Sequence, residues 1–251
     1  MCWSKSRQVV GHGKEKTERK DEAMIQTRTV SKVLGAGMLT ILILALTACG
    51  SGSAQEEAKA RPLPLYEQAL RPGEYHSVRF KPALSFEVGK GWSTTAEQLS
   101  DYIQLSQQGE IGTLNIVNVE EVFKPGTTDV VDAPEDLIGW LQHHPYLKTS
   151  KPQPVTVGGL EGEQLEVLID HLPKNNSGYC GEPSGCLDIF NQSGGDQIGY
   201  FGMNHNMRRA IVFENVEGDT VVIWYAGPPD TFDKFAPKAR KVVNSVRWEG
   251  S

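Results

Sequence analysis

No apolar run in this 251-residue chain is long enough to cross a bilayer: the longest, Val33–Leu46, has 14 residues, against the ~20 that a spanning helix requires. Catalytic signatures are missing too. There is no Gly-x-Ser-x-Gly elbow, no His-Glu-x-x-His, no P-loop and no EF-hand ligand series. Positive charge is scarce: from Cys49 to Ser251 there are 17 Lys and Arg against 27 Asp and Glu, a formal charge of −10. That balance argues against nucleic acid as a partner. Cysteines number only four, and no internal repeat or low-complexity tract interrupts the chain.

What is present begins with the short apolar run. It follows Arg28 and Lys32 and ends in Leu46-Thr47-Ala48-Cys49, which matches the bacterial lipobox position by position. A basic n-region, a short apolar h-region and a small-residue cleavage site make a secretory signal. Cleavage before Cys49 makes that cysteine the first residue and the site of lipidation, giving a signal peptide over 1–48. The charged block Lys14–Asp21 has no apolar face, and Met24 itself supplies a normal n-region, so the start is either Met1 or Met24, residues 1–23 being a misassigned extension in the second case. A diacylglyceryl-type anchor, with palmitate among its acyl chains, holds firmly because two chains bind where one is marginal. The expected place is therefore the extracytoplasmic side of the cell membrane or outer membrane, with the membrane engaged through lipid.

After Cys49 the tract Gly50-Ser51-Gly52-Ser53 and the Pro-containing Arg61-Pro62-Leu63-Pro64 predict a flexible tether over 49–74, reaching roughly 27 Å as a random coil. The stretch 75–251 is then one domain, large enough for its own core.

Within that domain Tyr75–Phe80 and Leu84–Val88 read as strands broken at Lys81-Pro82. Asp101–Ser106 and Thr113–Val119 read as two more, joined through Gln108-Gly109. A helix is predicted after Asp132 as cap, with Pro134 in its first turn and Glu135 three residues after the cap. Leu137, Ile138 and Leu141 lie on its apolar face, and His143-His144-Pro145 ends it. Pro154–Val157, Gly158-Gly159 and Gly162–Ile169 predict a hairpin. Arg208–Val216 and Thr220–Ala226 predict a second, turning at Glu217-Gly218-Asp219. A closing helix carries Phe232, Phe235, Ala236, Ala239, Val242 and Val243 on one stripe, with Asp230 as cap and Pro237 as either a kink or the true start. Ser245–Trp248 follows as a short strand, and Gly194, Gly195, Gly199 and Gly202 predict a mobile loop.

The order Phe80-Lys81-Pro82-Ala83-Leu84-Ser85-Phe86, Gly91-Trp92, Trp140-Leu141-Gln142-His143-His144-Pro145, Val155-Thr156-Val157-Gly158-Gly159-Leu160-Glu161-Gly162 and the closing Phe235–Val246 segment resembles bacterial secreted domains of the PsbP-like superfold. Mycobacterial LpqN-type lipoproteins are similar in plan. The resemblance spans about Tyr75 to Trp248 and rests on turns and core positions. It implies an α+β fold, a central antiparallel β-sheet flanked by helices in an α/β/α sandwich, and a single domain. It implies no active site, since one fold hosts unrelated functions.

Two thiols survive processing, because Cys2 leaves with the signal and Cys49 takes lipid. Cys180 and Cys186 share one Gly/Pro-containing loop, and in an oxidising compartment parity and proximity predict a disulfide between them. The alternative is a zinc site completed by His171 and His205. Adjacent His143 and His144 point about 100° apart on a helix, which suits a helix-end role rather than one metal site. The sequons at Asn175 and Asn191 read as chance. No cofactor or metal is expected.

Two classes of function remain. One is a non-catalytic cell-envelope lipoprotein, a binding or accessory module for a protein or glycan partner, of which a purely structural surface protein is a plainer form. The other is an extracytoplasmic hydrolase-type enzyme in which two or more of Asp170, His171, Asp188 and His205 converge in a deep pocket.

Overall fold

Strand is the commonest regular structure among the described residues, with period-2 alternation in half-buried strands and continuous apolar runs in the central ones. The computed structural model describes residues 59–95, 99–109, 112–174, 185–192, 199–203 and 207–249, all within one compact unit, Gln55–Ser251. Its elements begin with strands Arg61–Pro62 (β1), Gln68–Ala69 (β2), Gly73–His76 (β3), Leu84–Val88 (β4), Trp92–Thr94 (β5) and Tyr102–Gln107 (β6). Thr113–Asn118 (β7), Glu121–Phe123 (β8) and Val130–Asp132 (β9) precede helix Leu137–His143 (α1). Leu147–Thr149 (β10), Gln153–Val157 (β11), Leu160–Ile169 (β12), Leu187–Gln192 (β13) and Gly199–Met203 (β14) follow. Met207–Val216 (β15), Asp219–Gly227 (β16), helix Pro229–Val243 (α2) and Arg247–Trp248 (β17) complete the fold.

A nine-stranded sheet lies at the centre, in the order β10-β12-β15-β16-β7-β6-β5-β2, with β11 also paired to β12. One of its faces packs against α2 and the small sheet β1-β3-β4-β17, the other against α1 and the small sheet β14-β13-β8-β9. Every described pairing is antiparallel except the two-residue β1–β3 contact. This is an α+β domain with a central antiparallel sheet, mostly strand, with a helix on each face.

The long hairpin β15–β16 turns at Glu217 (φ 56°) and Gly218 (φ 100°), the positive angles that a two-residue turn matched to strand twist requires. Its residues Ile223, Trp224 and Tyr225 are fully buried because the strand is central and covered on both faces. Helix α2 lies on this sheet through Phe232, Phe235, Ala239, Val242 and Val243. The rings of Phe232 and Tyr225 stack at 6.2 Å, and Phe235 meets Trp92 at 6.0 Å. Gly112 makes room for this packing, since a Cβ there would stand 2.5 Å from the Phe235 ring. At the C-terminus Trp248 Nε1 donates to the Val157 carbonyl at 3.1 Å, which ties the last strand to the β11–β12 hairpin.

Several sequence expectations change. Of the tether expected over 49–74, residues 61–74 belong to the fold instead, because β1 pairs with β3, β2 pairs with β5, and Leu63 and Leu70 are buried; Leu63 faces the core although prolines flank it, and residues 49–58 lie outside the described residues. Helix α1 is capped by Asp136, whose Oδ1 accepts from Gly139 N at 2.6 Å, and not by Asp132, which ends β9 by pairing with Glu121. Asp230 lies in the first turn of α2, while Pro228 occupies the cap position and its carbonyl accepts from Thr231 and Phe232. Pro237 sits inside a helix that continues through it. Of the glycines expected in a mobile loop, Gly199 and Gly202 belong to β14, paired with β13, and Gly194 and Gly195 lie outside the described residues.

Candidate functional site

Beside α1 the central sheet leaves a groove of about 720 Å³, over β11, β12 and β15. Strand alternation places Glu161 and Glu163 on one face of β12, and Val212, opposite Glu163 in the ladder, puts Glu214 of β15 on the same face. Ile138 of α1 and Val212 lie behind the groove almost wholly buried, and exposed Pro154 and Thr156 stand beside the carboxylates. Glu161, Glu163 and Glu214 are exposed, and among the described residues none of them takes part in an ion pair. Among the described residues no lysine, arginine or histidine lines the groove. The floor is held by close backbone packing at Gly162, where a Cβ would stand 2.5 Å from the Val212 carbonyl.

The far end of α1 carries a second cluster. His143 Nδ1 lies 2.7 Å from the Gly139 carbonyl, so the ring closes the last turn of the helix. His144, the C-cap, is 4 % exposed. Its ring meets Trp140 edge-on at 4.9 Å and Tyr146 at 5.9 Å, and Tyr146 in turn meets His171 at 5.3 Å. His144 Nδ1 accepts from Tyr146 N at 3.3 Å, whereas Nε2 is buried without a partner. Burial pushes this imidazole down to about 4, so it is neutral at physiological pH. His171 Nδ1 is 3.0 Å from Asp170 Oδ2, and both side chains are more than half exposed.

Beneath the second small sheet a buried polar network crosses the strands. Tyr102 Oη donates to Asn115 Oδ1 at 2.8 Å and receives Gln104 Nε2 at 2.6 Å, while Asn115 Nδ2 reaches the Trp224 carbonyl at 3.2 Å. Burial drives the Tyr102 hydroxyl well above its ordinary range against the opposing pull of Arg208. Arg208 is itself brought down to about 10, chiefly by burial, and stays charged. These groups pin strand register.

The structure therefore brings together only part of the set predicted from sequence. Asp170 and His171 meet as chain neighbours on an open surface. Asp188 is buried within β13, and His205 lies outside the described residues. Cys49, the signal peptide over 1–48, Met24 and Cys180 also lie outside them, while Cys186 stands immediately ahead of β13. His76, in β3, places Nδ1 3.1 Å from the Ala60 carbonyl. Among the described residues no three His, Cys, Asp or Glu side chains are arranged to hold a metal, and no helix is long and apolar enough to cross a membrane. Sequence reading passed over the groove glutamates, although Glu161-x-Glu163 on an alternating strand already places two carboxylates on one face.

No protein-family model matches the chain, and no curated protein does. Among solved structures, cyanobacterial PsbP (CyanoP) from Synechocystis sp. PCC 6803 aligns at a TM-score of 0.38 and 12 % identity, over 71 % of this chain and 94 % of that one. A crystal structure from Bacteroides thetaiotaomicron VPI-5482 aligns at 0.37 and 11 % identity over 72 % of this chain. The match spans only about half of that longer protein, 51 %.

Proposed function

We propose that this chain is a lipid-anchored, extracytoplasmic binding or accessory module that works without catalysis, engaging an envelope partner through an open face. The observation that carries the reading is the groove beside α1, an open concave surface bearing three exposed carboxylates that take part in no ion pair among the described residues. Charge of one sign on an open face steers and selects partners of complementary charge. The anchor is supported by the complete Leu46–Cys49 box behind a basic n-region. A Cys180–Cys186 disulfide belongs to the same reading, supported by the short Gly/Pro-containing loop between them and by the bonded state of Cys186. So does membership of the PsbP-like secreted domains, LpqN-type in plan, which rests on the sequence order from Phe80 to Val246.

Anchoring and the lack of turnover are tested separately. Cells fed an alkyne-tagged fatty acid should label the wild type and leave Cys49→Ala unlabelled; equal incorporation in both would remove the anchor from the account. The purified protein should turn over no generic ester, peptide or phosphate substrate. Reproducible turnover that disappears on substituting His171 or His205 would replace the binding module with the hydrolase.

A further inference from the structure

We infer that the end of the fold nearest the anchor is a bilayer-contact face, on which Lys90, Lys238 and Lys241 take the phosphates of anionic phospholipid headgroups. The inference rests on the lipid-anchored reading and adds a second contact, made by the domain itself. Arg61 of β1 pairs in parallel with Tyr75 of β3, so the residues before it run toward Gly73, which pairs with Val88 at the end of β4. The Arg61 guanidinium closes that end by donating to the Arg71 and Pro72 carbonyls at 2.9 and 2.8 Å. The turn Gly89-Lys90-Gly91 follows Val88 directly. Exposed Lys59, where the described residues begin, is ten residues beyond Cys49, so chain length alone keeps it within about 36 Å of a lipidated Cys49. A domain of this size is roughly 40 Å across. Its anchored end is therefore the one held at the bilayer.

At that end α2, β4 and the β4–β5 turn border a pocket of about 420 Å³. Lys90, Lys238 and Lys241 line it, and Glu87 is the one acidic group among the described lining residues. Lys238 and Lys241 are three residues apart in α2 and so share a helix face. Buried Gln107 orders the site from beneath: its Nε2 donates to the Lys90 carbonyl at 3.0 Å, and its Oε1 accepts from Lys238 Nζ at 3.4 Å. Exposed Arg71 extends the positive field beyond the pocket, while Glu74 beside it is already paired with Arg247 at 3.1 Å. The sign decides the partner. From Cys49 to Ser251 acids outnumber Lys and Arg by 27 to 17, so an even distribution would leave this end negative, yet its cations gather where the anchor holds the fold. A lysine near an anionic leaflet gains roughly fivefold in residence there, and three on one face outweigh one carboxylate.

The test uses the mature protein purified from membranes and reconstituted on vesicles of phosphatidylcholine, alone or mixed with phosphatidylglycerol. Flotation reports the anchor. A nitrobenzoxadiazole on Gly89→Cys, where a side chain meets open space, is quenched by lipid spin-labelled at the headgroup and reports the face. A reference probe sits on Val78→Cys, exposed between β3 and β4 at the opposite end of that small sheet. Quenching at position 89 should be at least about twofold stronger on the mixed vesicles than on phosphatidylcholine, should fall to the neutral-vesicle level at about 0.5 M salt, and should not change at position 78. The triple variant Lys90→Gln, Lys238→Gln, Lys241→Gln should abolish the difference, and Lys→Arg at the same three positions should keep it. The double variant Lys90→Gln, Lys241→Gln, which spares the Lys238 contact with Gln107, should lose at least about half. A control triple of the same charge change, Lys124→Gln, Lys148→Gln, Lys151→Gln, should keep it. Equal loss in both triples would reduce the effect to net charge and overturn the face. Equal quenching at the two probe positions would overturn it too, as would millimolar glycerol phosphate abolishing the difference at constant ionic strength, which would assign a soluble phosphate site instead. Failure to float with phosphatidylcholine vesicles would remove the anchor and the face with it. Flotation without the phosphatidylglycerol effect would remove the lysine face alone and leave the anchored module standing.

Discussion

Acidification should destabilise this fold through His144 in particular. In the folded state its imidazole is held at about 4 against an ordinary 6.5, because burial withholds water from the charged ring and Nε2 has no acceptor to stabilise a proton. Between those two values the unfolded chain binds the proton and the folded chain does not, so stability falls as pH drops through that window. Its contribution is fully present above about pH 6.5 and is lost by pH 4. A separation of about 2.5 units is worth roughly 3 kcal/mol at about 1.36 kcal/mol per unit, or some 6–12 °C in Tm for a chain of this size. His144→Asn keeps an acceptor near the position of Nδ1 for Tyr146 N–H and removes the titration. Urea unfolding of both proteins at pH 7.0, 5.5 and 4.0 isolates the effect, since every other titrating group is common to the pair. The wild type should lose about 3 kcal/mol more than the variant between pH 7.0 and 4.0. Parallel profiles would refute the reasoning, and so would an NMR titration placing His144 near 6.5 in the folded protein.

Gly112→Ala should cost about 1–3 kcal/mol by thermal or urea unfolding, because the new Cβ would enter the Phe235 ring and a packed core resists added volume. Asp136→Ala should cost about 0.5–2 kcal/mol in the same assay through loss of the α1 cap. Glu166→Gln, which breaks a 2.7 Å pair with Arg209 on a half-exposed surface, should cost no more than about 1 kcal/mol. Mass spectrometry of the non-reduced mature protein should find the Cys180–Cys186 peptide two hydrogens lighter than its dithiol form.

The elements that sequence made legible are those with a clear period or punctuation. The β15–β16 hairpin declares itself through β-branched and aromatic runs around Glu217-Gly218, and α2 through an apolar stripe that survives Pro237 because the ring points to solvent. The second small sheet was hidden because β13 mixes buried Asp188 and Gln192 with its apolar residues, and because the glycines around β14 imitate a loop. Strands β1 and β2 are two residues each, too short for any period to register; only the partners that fold back on them create their order. The Asp132 cap failed for a related reason, since pairing with β8 claimed that residue for a strand and left Asp136 to cap α1. The groove was invisible because Glu214 reaches Glu161 and Glu163 only through the β12–β15 register. Asp170 and His171 are adjacent in the chain, and their side chains are both more than half exposed.

The most direct measurement is a photo-cross-linking scan in intact cells. A benzoyl-phenylalanine is placed in turn at exposed Thr156 in the groove and at Tyr66 and Val78, well away from it in the chain, followed by irradiation and fractionation of the membranes. The account predicts a membrane-retained adduct of one defined mass from Thr156, lost in the Glu161, Glu163 and Glu214 triple variant. The absence of an adduct from all three positions would contradict it.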